Sequence, residues 1–207
     1  MWGLEILKSV HPAASGAPGH KDGQHVVSTD RVAYISLGSN LGQPEANLET
    51  ARENLALLPG VDIGPVSSLY YTEPQGVKDQ PWFANQVLAA ACAPDVTPLS
   101  LLASLLDIEA RMGRQRRERW GPRLIDLDVL FFGHLVLHEP ALTLPHPRIG
   151  ERAFILVPLL EIAPDFVFPD GSRADIKLQG LDYRIEDTCI WQKTEDRRQL
   201  RRKEIRT

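Results

Sequence analysis

Cysteine is almost absent: Cys92 and Cys189 are the two in 207 residues, and they lie far apart. They make no disulfide framework and no zinc-ligand spacing, and histidine spacing supplies none either, so a reducing compartment is the simplest setting. No apolar run approaches the roughly 18 residues that cross a bilayer. The opening "MWGLEILKSVHPAASG" lacks the unbroken apolar segment of a secretory signal. Excess positive charge is missing too. With 23 Lys and Arg against 27 Asp and Glu, the net charge of −4 gives no bulk attraction to nucleic acid or anionic lipid. There is no Gly-x-x-x-x-Gly-Lys-Ser/Thr, and "GSNLG" (38–42) is not a dinucleotide fingerprint. A P-loop NTPase or a Rossmann enzyme is therefore disfavoured. What is present is an ordinary globular mix, 43% apolar and 24% charged, long enough for one good-sized domain. The expectation is a soluble cytoplasmic protein with no membrane partner.

The chain divides by composition. Residues 1–31 are read as a poorly ordered extension, because 11–31 is rich in Gly, Pro, Ala, Ser and His. "VAYISLG" (32–38) reads as a buried strand closed by "SNLG". Pro44 opens a helix with Leu48, Ala51, Leu55 and Leu58 at helical spacing, and Pro59-Gly60 stops it. Residues 61–74 read as one strand, with Pro65 marking an edge or bulge, and 82–93 as another. Thr97 and Pro98 start a second helix that ends at Gly113. "LIDLDVLFF" (124–132) is a strand, and "GHLVLHEP" (133–140) reads as its hairpin return. "AFILVPLLEIAP" (153–164) reads as a buried helix despite Pro158, and "FVFPDG" (166–171) as a last strand and turn. Residues 172–207 read as a charged C-terminal extension. Strands outnumber helices without strict alternation, which favours α+β with a largely antiparallel sheet.

Asp126 and Asp128 interrupt the apolar run of 124–132 at alternate positions, so a strand points both carboxylates to one face. Unpaired, they would repel each other and lose hydration, so a positive partner is required. Mg²⁺ takes one or two carboxylates, with water and substrate phosphates completing its octahedron. On spacing alone, metal binding and a solvated, arginine-paired strand face are equally good readings. Arg114, Arg116, Arg117, Arg119 and Arg123 lie within ten residues and run directly into this strand. On charge alone they are a surface loop. Beside a carboxylate pair they become phosphate ligands, the arrangement that phosphoryl transfer needs. Gly113 and Gly121 flank this loop and would let it close over a nucleotide. His146, held between two prolines, reads as structural when taken alone. Phe83 and Asn85 share a strand face; a stacking ring beside an amide suits a flat heterocycle, while the plainer reading is a core Phe and a turn-facing Asn.

Four stretches in order carry a resemblance: "YISLGSNLG", "LYYTEPQGVKDQPWFANQV", "IEARMGRQRRERWGPRLIDLDVLFFG" and "LTLPHPRIGERAFILVPLLEIAP". From about Val32 to Gly171 the chain resembles the 6-hydroxymethyl-7,8-dihydropterin pyrophosphokinases of folate biosynthesis. The resemblance implies a ferredoxin-like α+β fold. It also implies transfer of the pyrophosphoryl unit of ATP to the pterin hydroxymethyl group, releasing AMP. It places two Mg²⁺ ions on Asp126 and Asp128, with Arg114 and Arg123 beside them in the catalytic set. Arg114, Arg116 and Arg117 fall in the family's closing loop. Arg119, Trp120, Glu109, Thr143, His146 and Arg152 match positions around ATP. Thr72, Phe83, Asn85 and Phe154 match the pterin pocket, two rings sandwiching the heterocycle while Asn85 and Thr72 read its edge; Trp120 is at the rim. Gln75 stands where a small or branched apolar residue is common, which changes the polarity of the pterin loop.

The expected ligands are ATP and a pterin, with no nucleic acid, and the expected state is a monofunctional monomer, neither extension being long enough for a second catalytic domain. A rival enzyme, a nucleotidyltransferase using the same aspartates, would release pyrophosphate in place of AMP. A rival binding module on a ferredoxin-like sheet would hold RNA. It would need the glycine-and-aromatic pattern of an RNA-recognition strand, which the sequence lacks.

Overall fold

The computed structural model describes residues 31–74, 79–114 and 121–192. In chain order these form β1 (Val32–Ser39), α1 (Pro44–Ala56), β2 (Val61–Val66), β3 (Tyr70–Thr72), β4 (Phe83–Cys92), α2 (Pro98–Arg111) and β5 (Asp126–Phe132). β6 (Leu137–His138), β7 (Thr143–Leu144), a 3₁₀ turn (Ile149–Glu151), α3 (Ala153–Ile162), α4 (Ala174–Gln179), β8 (Tyr183–Glu186) and β9 (Cys189–Gln192) follow. The main sheet has the order β5-β1-β4-β3-β9-β8, with β2 also paired to β4. β3 and β9 run parallel, and the other pairs in it are antiparallel. The fold is α+β.

Both local helix signals act as the sequence reads them. Thr97 caps α2: its Oγ1 accepts the Ser100 N–H at 3.1 Å, and Ser100 Oγ accepts the Thr97 N–H at 2.8 Å. Two donors that a helix start leaves bare are thereby satisfied. Gly113, at φ +88, turns the chain out of the helix in a conformation glycine adopts without strain. Pro158 sits inside α3, which continues through it although proline has no N–H for the Phe154 carbonyl. Burial of Ile155, Leu156 and Leu159 on both sides of it holds the helix in place.

The helices divide between the two sheet faces. Leu48, Ala51 and Leu55 of α1 and Leu101, Leu105 and Ile108 of α2 pack with Ile35, Leu37, Leu127 and Val129. On the opposite face Ile155, Leu156 and Leu159 of α3 meet Val87, Ala89, Leu130 and Phe131. Strict alternation would put Leu130 and Phe131 on opposite faces. A bulge prevents this: Ile35 pairs with Val129 but Tyr34 with Phe131, so Leu130 is passed over in the register. Both side chains then join the α3 core, while Asp126 and Asp128 occupy the same face nearer the strand's start.

Several expectations are corrected. Residues 133–140 do not return against β5; Leu137 pairs with Leu144 and His138 with Thr143 in a separate two-stranded sheet. The outer edge of β5 is met instead by the loop after β7, where the His146 N–H donates to the Leu130 carbonyl at 3.0 Å. The single strand expected over 61–74 is two: β2 keeps its pairing to Val66 across a register slip around Pro65, and β3 resumes pairing with β4 only at Tyr70. Past Gly171 the chain continues into α4, β8 and β9, and β9 joins the main sheet beside β3. At the other end, Arg31 donates to the carbonyls of Cys92, Ala93 and Val96, tying the start of β1 to the β4–α2 turn. Residues 1–30 and 193–207 lie outside the described residues.

Replacing Thr97 by Ala is expected to lower stability by about 1 kcal/mol, the usual cost of a lost N-cap. Urea unfolding checks this; an unchanged midpoint would mean that the cap bears none of the α2 start.

Candidate active site

The half of the sheet face that α3 leaves open forms a cleft. Pairing places Asp128 opposite Ser36, and Asp126 opposite Gly38, which is in turn opposite Asn85. Thr72 lies opposite Phe83. The start of α3 closes one side with Arg152 and Phe154, and Gly121, Arg123, Glu73 and Gln80 complete the lining. Ser36 and Gly38 keep the floor low. A Cβ on Gly38 would come within 3.4 Å of Asn85 Oδ1 and 3.9 Å of the Asp126 Cβ, narrowing the space between carboxylates and amide.

Positive charge meets the aspartates as the sequence requires. Arg114 Nη2 lies 2.7 Å from Asp126 Oδ1, and Arg123 pairs with the other oxygen. Arg114 also pairs with Glu109, whose buried carboxylate accepts the Leu127 N–H at 2.7 Å. Burial raises the Glu109 pKa, opposed by that N–H and by Arg114. Asp128 is pushed up to about 6, first by burial and then by the Asp126 charge, with Arg152 partly opposing. Burial drives Arg152 down to about 10, helped by Arg148. Its Nε is buried without a hydrogen-bond partner among the described residues, and its guanidinium lies 5.4 Å from the Phe154 ring centroid. The cleft thus holds desolvated charge of both signs at close quarters.

At its other end the cleft is amide and ring. Asn85 Nδ2 donates to Thr72 Oγ1 at 2.9 Å and to the Phe83 carbonyl at 3.2 Å, which fixes the amide's orientation. The structure therefore brings Thr72, Phe83, Asn85, Arg123, Asp126, Asp128, Arg152 and Phe154 to one face, with Arg114 directly beside Asp126. Glu109, Thr143 and His146 do not line the cleft: Glu109 supports Arg114 and the backbone of β5, Thr143 is in β7, and His146 braces the β5 edge. Arg116, Arg117, Arg119, Trp120 and Gln75 lie outside the described residues.

Sequence reasoning missed Asn40. Its Oδ1 accepts the Arg123 N–H at 2.7 Å, and its own N–H donates to the Arg123 carbonyl at 3.0 Å. Its Nδ2 reaches Gln80 Oε1 at 3.1 Å and the Pro81 carbonyl at 3.0 Å. One buried amide thus ties the β1–α1 turn to both loops that rim the cleft. The one signal was an Asn in an otherwise small and flexible "GSNLG". Ser36 and Gly38 were likewise passed over, although two small residues in a buried strand are the mark of a surface that something must approach.

The family model for 7,8-dihydro-6-hydroxymethylpterin-pyrophosphokinase matches residues 34–164, a segment containing every residue of this cleft. The chain belongs to this pyrophosphokinase family. Among its relatives, the 2-amino-4-hydroxy-6-hydroxymethyldihydropteridine pyrophosphokinase of Methylorubrum extorquens is 49% identical over 135 residues, covering 65% of this chain and 84% of that protein. The enzyme of the same name from Pseudomonas aeruginosa is 45% identical over 138 residues, covering 67% and 84%. The fold is also that of the Plasmodium falciparum HPPK-DHPS crystal structure, with a TM-score of 0.57 at 14% identity over 80% of this chain. The chain spans 50% of the length of that structure.

Burial, with Arg152 and Arg148 nearby, pushes the His146 imidazole from 6.5 down to about 4. Between those values the unfolded chain binds a proton that the folded chain does not, so this contribution to stability is lost as pH falls through the window. His146→Asn is expected to make the fall in unfolding free energy between pH 6.5 and 4 shallower. Urea melts across that range test it, and an unaltered slope would count against a buried neutral imidazole.

Proposed function

We propose that this protein catalyses ATP-dependent pyrophosphoryl transfer to 6-hydroxymethyl-7,8-dihydropterin, giving AMP and the pterin diphosphate for folate biosynthesis. The observation that carries the reading is the carboxylate pair and arginines at one end of a cleft whose other end is Phe83, Phe154 and a fixed amide. The hydroxymethyl oxygen bonds to the β-phosphorus of ATP as the bond to the α,β-bridging oxygen breaks. AMP leaves, and the hydroxyl proton is released.

Asp126 and Asp128 fit Mg²⁺ by the chemistry of their donors. Two carboxylates share one face, and burial, with the Asp126 charge, pushes Asp128 up to about 6, a strain that a bound cation would relieve. Among the described residues no group of three or more acidic, His or Cys side chains is placed to hold a metal. That suits an ion completed by water and substrate phosphates better than a protein cage. We assign two Mg²⁺ ions to this pair. Bound by these carboxylates, Mg²⁺ would neutralise phosphate charge and lower the pKa of the substrate hydroxyl.

The chain's own residues bind and orient. Arg123 and Arg152 present guanidinium forks to the phosphates, Arg114, braced by Glu109, balances Asp126, and Arg116, Arg117 and Arg119 are assigned to ATP. We assign Trp120 to the nucleotide side and the pterin rim; Thr143 and His146, which do not line the cleft, are assigned to ATP from beside it. Phe83 and Phe154 sandwich the pterin ring, while Asn85 and Thr72 hydrogen-bond its edge and aim the hydroxymethyl group at the phosphates. Catalysis here is mostly positioning and charge neutralisation. We assign the catalytic domain to the span from Arg31 through β9, which joins the main sheet beside β3, in a monomeric cytoplasmic enzyme with no nucleic-acid partner.

The test is a product assay with ATP, Mg²⁺ and the hydroxymethyl pterin. Pterin-dependent AMP without free pyrophosphate is expected; free pyrophosphate or ADP would transfer the protein to another reaction class. Asp126→Asn and Asp128→Asn are each expected to cut turnover by on the order of a thousandfold with the melting temperature nearly kept. Full activity in either removes the metal assignment. Phe83→Ala is expected to raise the pterin KM about tenfold and leave the ATP KM nearly unchanged. Equal rises would make Phe83 a packing residue only.

A further inference from the structure

The β8–β9 hairpin lies beyond the segment that the family model matches, which ends at residue 164, and no residue of it lines the cleft. It is nonetheless built against both aromatic sides of that cleft. β9 runs parallel to β3, with Thr72 opposite Ile190. Ile190 is buried, and the next two residues, Trp191 and Gln192, point to opposite faces of the strand.

Each has its own partner. Trp191 meets Trp82 edge-on, ring centroids 5.4 Å apart at 81°, and the Arg184 guanidinium lies 4.3 Å from the Trp191 ring centroid. Trp82 immediately precedes Phe83. Gln192 Oε1 accepts the Ala153 N–H at 2.9 Å, and its Nε2 donates to the Glu151 carbonyl at 2.7 Å. Ala153 is the first residue of α3, so its N–H is one of those a helix start leaves bare. The side chain at the local cap position, Arg152, makes no capping bond; Gln192 supplies it from 39 residues away. The next residue of that turn is Phe154.

We propose that the β8–β9 hairpin sets the width of the pterin slot: Trp191 holds the start of β4 and with it Phe83, while Gln192 holds the start of α3 and with it Phe154. This rests on the reading of those two rings as the walls of the pterin site. A sandwiched ring is sensitive to wall spacing, because a gap of 0.5–1 Å already forfeits roughly a quarter to a half of the dispersion attraction. Trp191 and Gln192 are positioning residues, acting through Phe83 and Phe154.

The experiment compares Gln192→Ala, Gln192→Glu, Trp191→Ala and Trp191→Phe with Phe154→Ala in the full chain. The pterin KM is measured at saturating ATP, the ATP KM at saturating pterin, with kcat and melting temperature alongside. Gln192→Ala and Trp191→Ala are expected to raise the pterin KM about tenfold, with the ATP KM within about twofold. Gln192→Glu keeps the acceptor for the Ala153 N–H and adds a favourable charge at the helix start but loses the donor to the Glu151 carbonyl, so it is expected to recover part of the loss. If an alanine variant does not fold, Trp191→Phe and Gln192→Glu carry the test, each with a smaller rise confined to pterin. Pterin and ATP KM rising together, or neither moving while Phe154→Ala weakens pterin, would overturn the positioning role. Phe154→Ala leaving the pterin KM unchanged would overturn the pterin-wall reading, and the hairpin's role with it.

Discussion

Two carboxylates on one face of a buried strand are the constraint around which this molecule is arranged. Asp126 and Asp128 repel one another, and burial raises the cost of the Asp128 charge. Arg114 and Arg123 relieve Asp126, and Arg152 faces Asp128 from the start of a helix on the other side of the cleft. Each arginine is itself under constraint. Arg114 is tethered by buried Glu109, Arg123 by the backbone contacts of Asn40, and Arg152 by the helix whose first turn it begins. Desolvation shifts Asp128 and Arg152 toward their neutral forms, so opposite charge brought into the cleft would restore the ionised form of each.

The same sheet face is divided into a packed half and an open half. The bulge at Leu130 sends two consecutive apolar side chains under α3 and lets the strand leave both aspartates uncovered. The helix that seals the core therefore also forms one side of the cleft. Small residues at Ser36 and Gly38 keep the open half deep, and Asn85, held by Thr72 and the Phe83 carbonyl, is oriented before any ligand arrives.

Parts distant in sequence share the work of holding this geometry. Asn40 joins the β1–α1 turn to Gln80, Pro81 and Arg123, so the loops rimming the cleft are referred to one buried amide. At the far side β9 touches the approach to Phe83 and the start of α3 with two consecutive side chains. The hairpin is short and half-exposed, yet it stands where small displacements are felt by both rings.

By itself the sequence determined the elements with a local period or a local cap: the β1 run, the Pro44 helix, the Thr97-Pro98 start with its Gly113 stop, and the alternation that set Asp126 and Asp128 on one face. It also held the ordered motifs that mark the pyrophosphokinase family, because residue identity at close spacing is legible without coordinates. Only the tertiary structure decided that β5 bulges at Leu130, that 133–140 pairs with β7 and not β5, and that the chain after Gly171 returns to the sheet. It alone showed Glu109 turned to the backbone of β5, and Asn40 reaching a partner 83 residues away. The physical reason is common to all of these. A bulge, an edge pairing or a long-range cap is chosen by which distant groups would otherwise be left buried without a partner, and no local pattern records that choice.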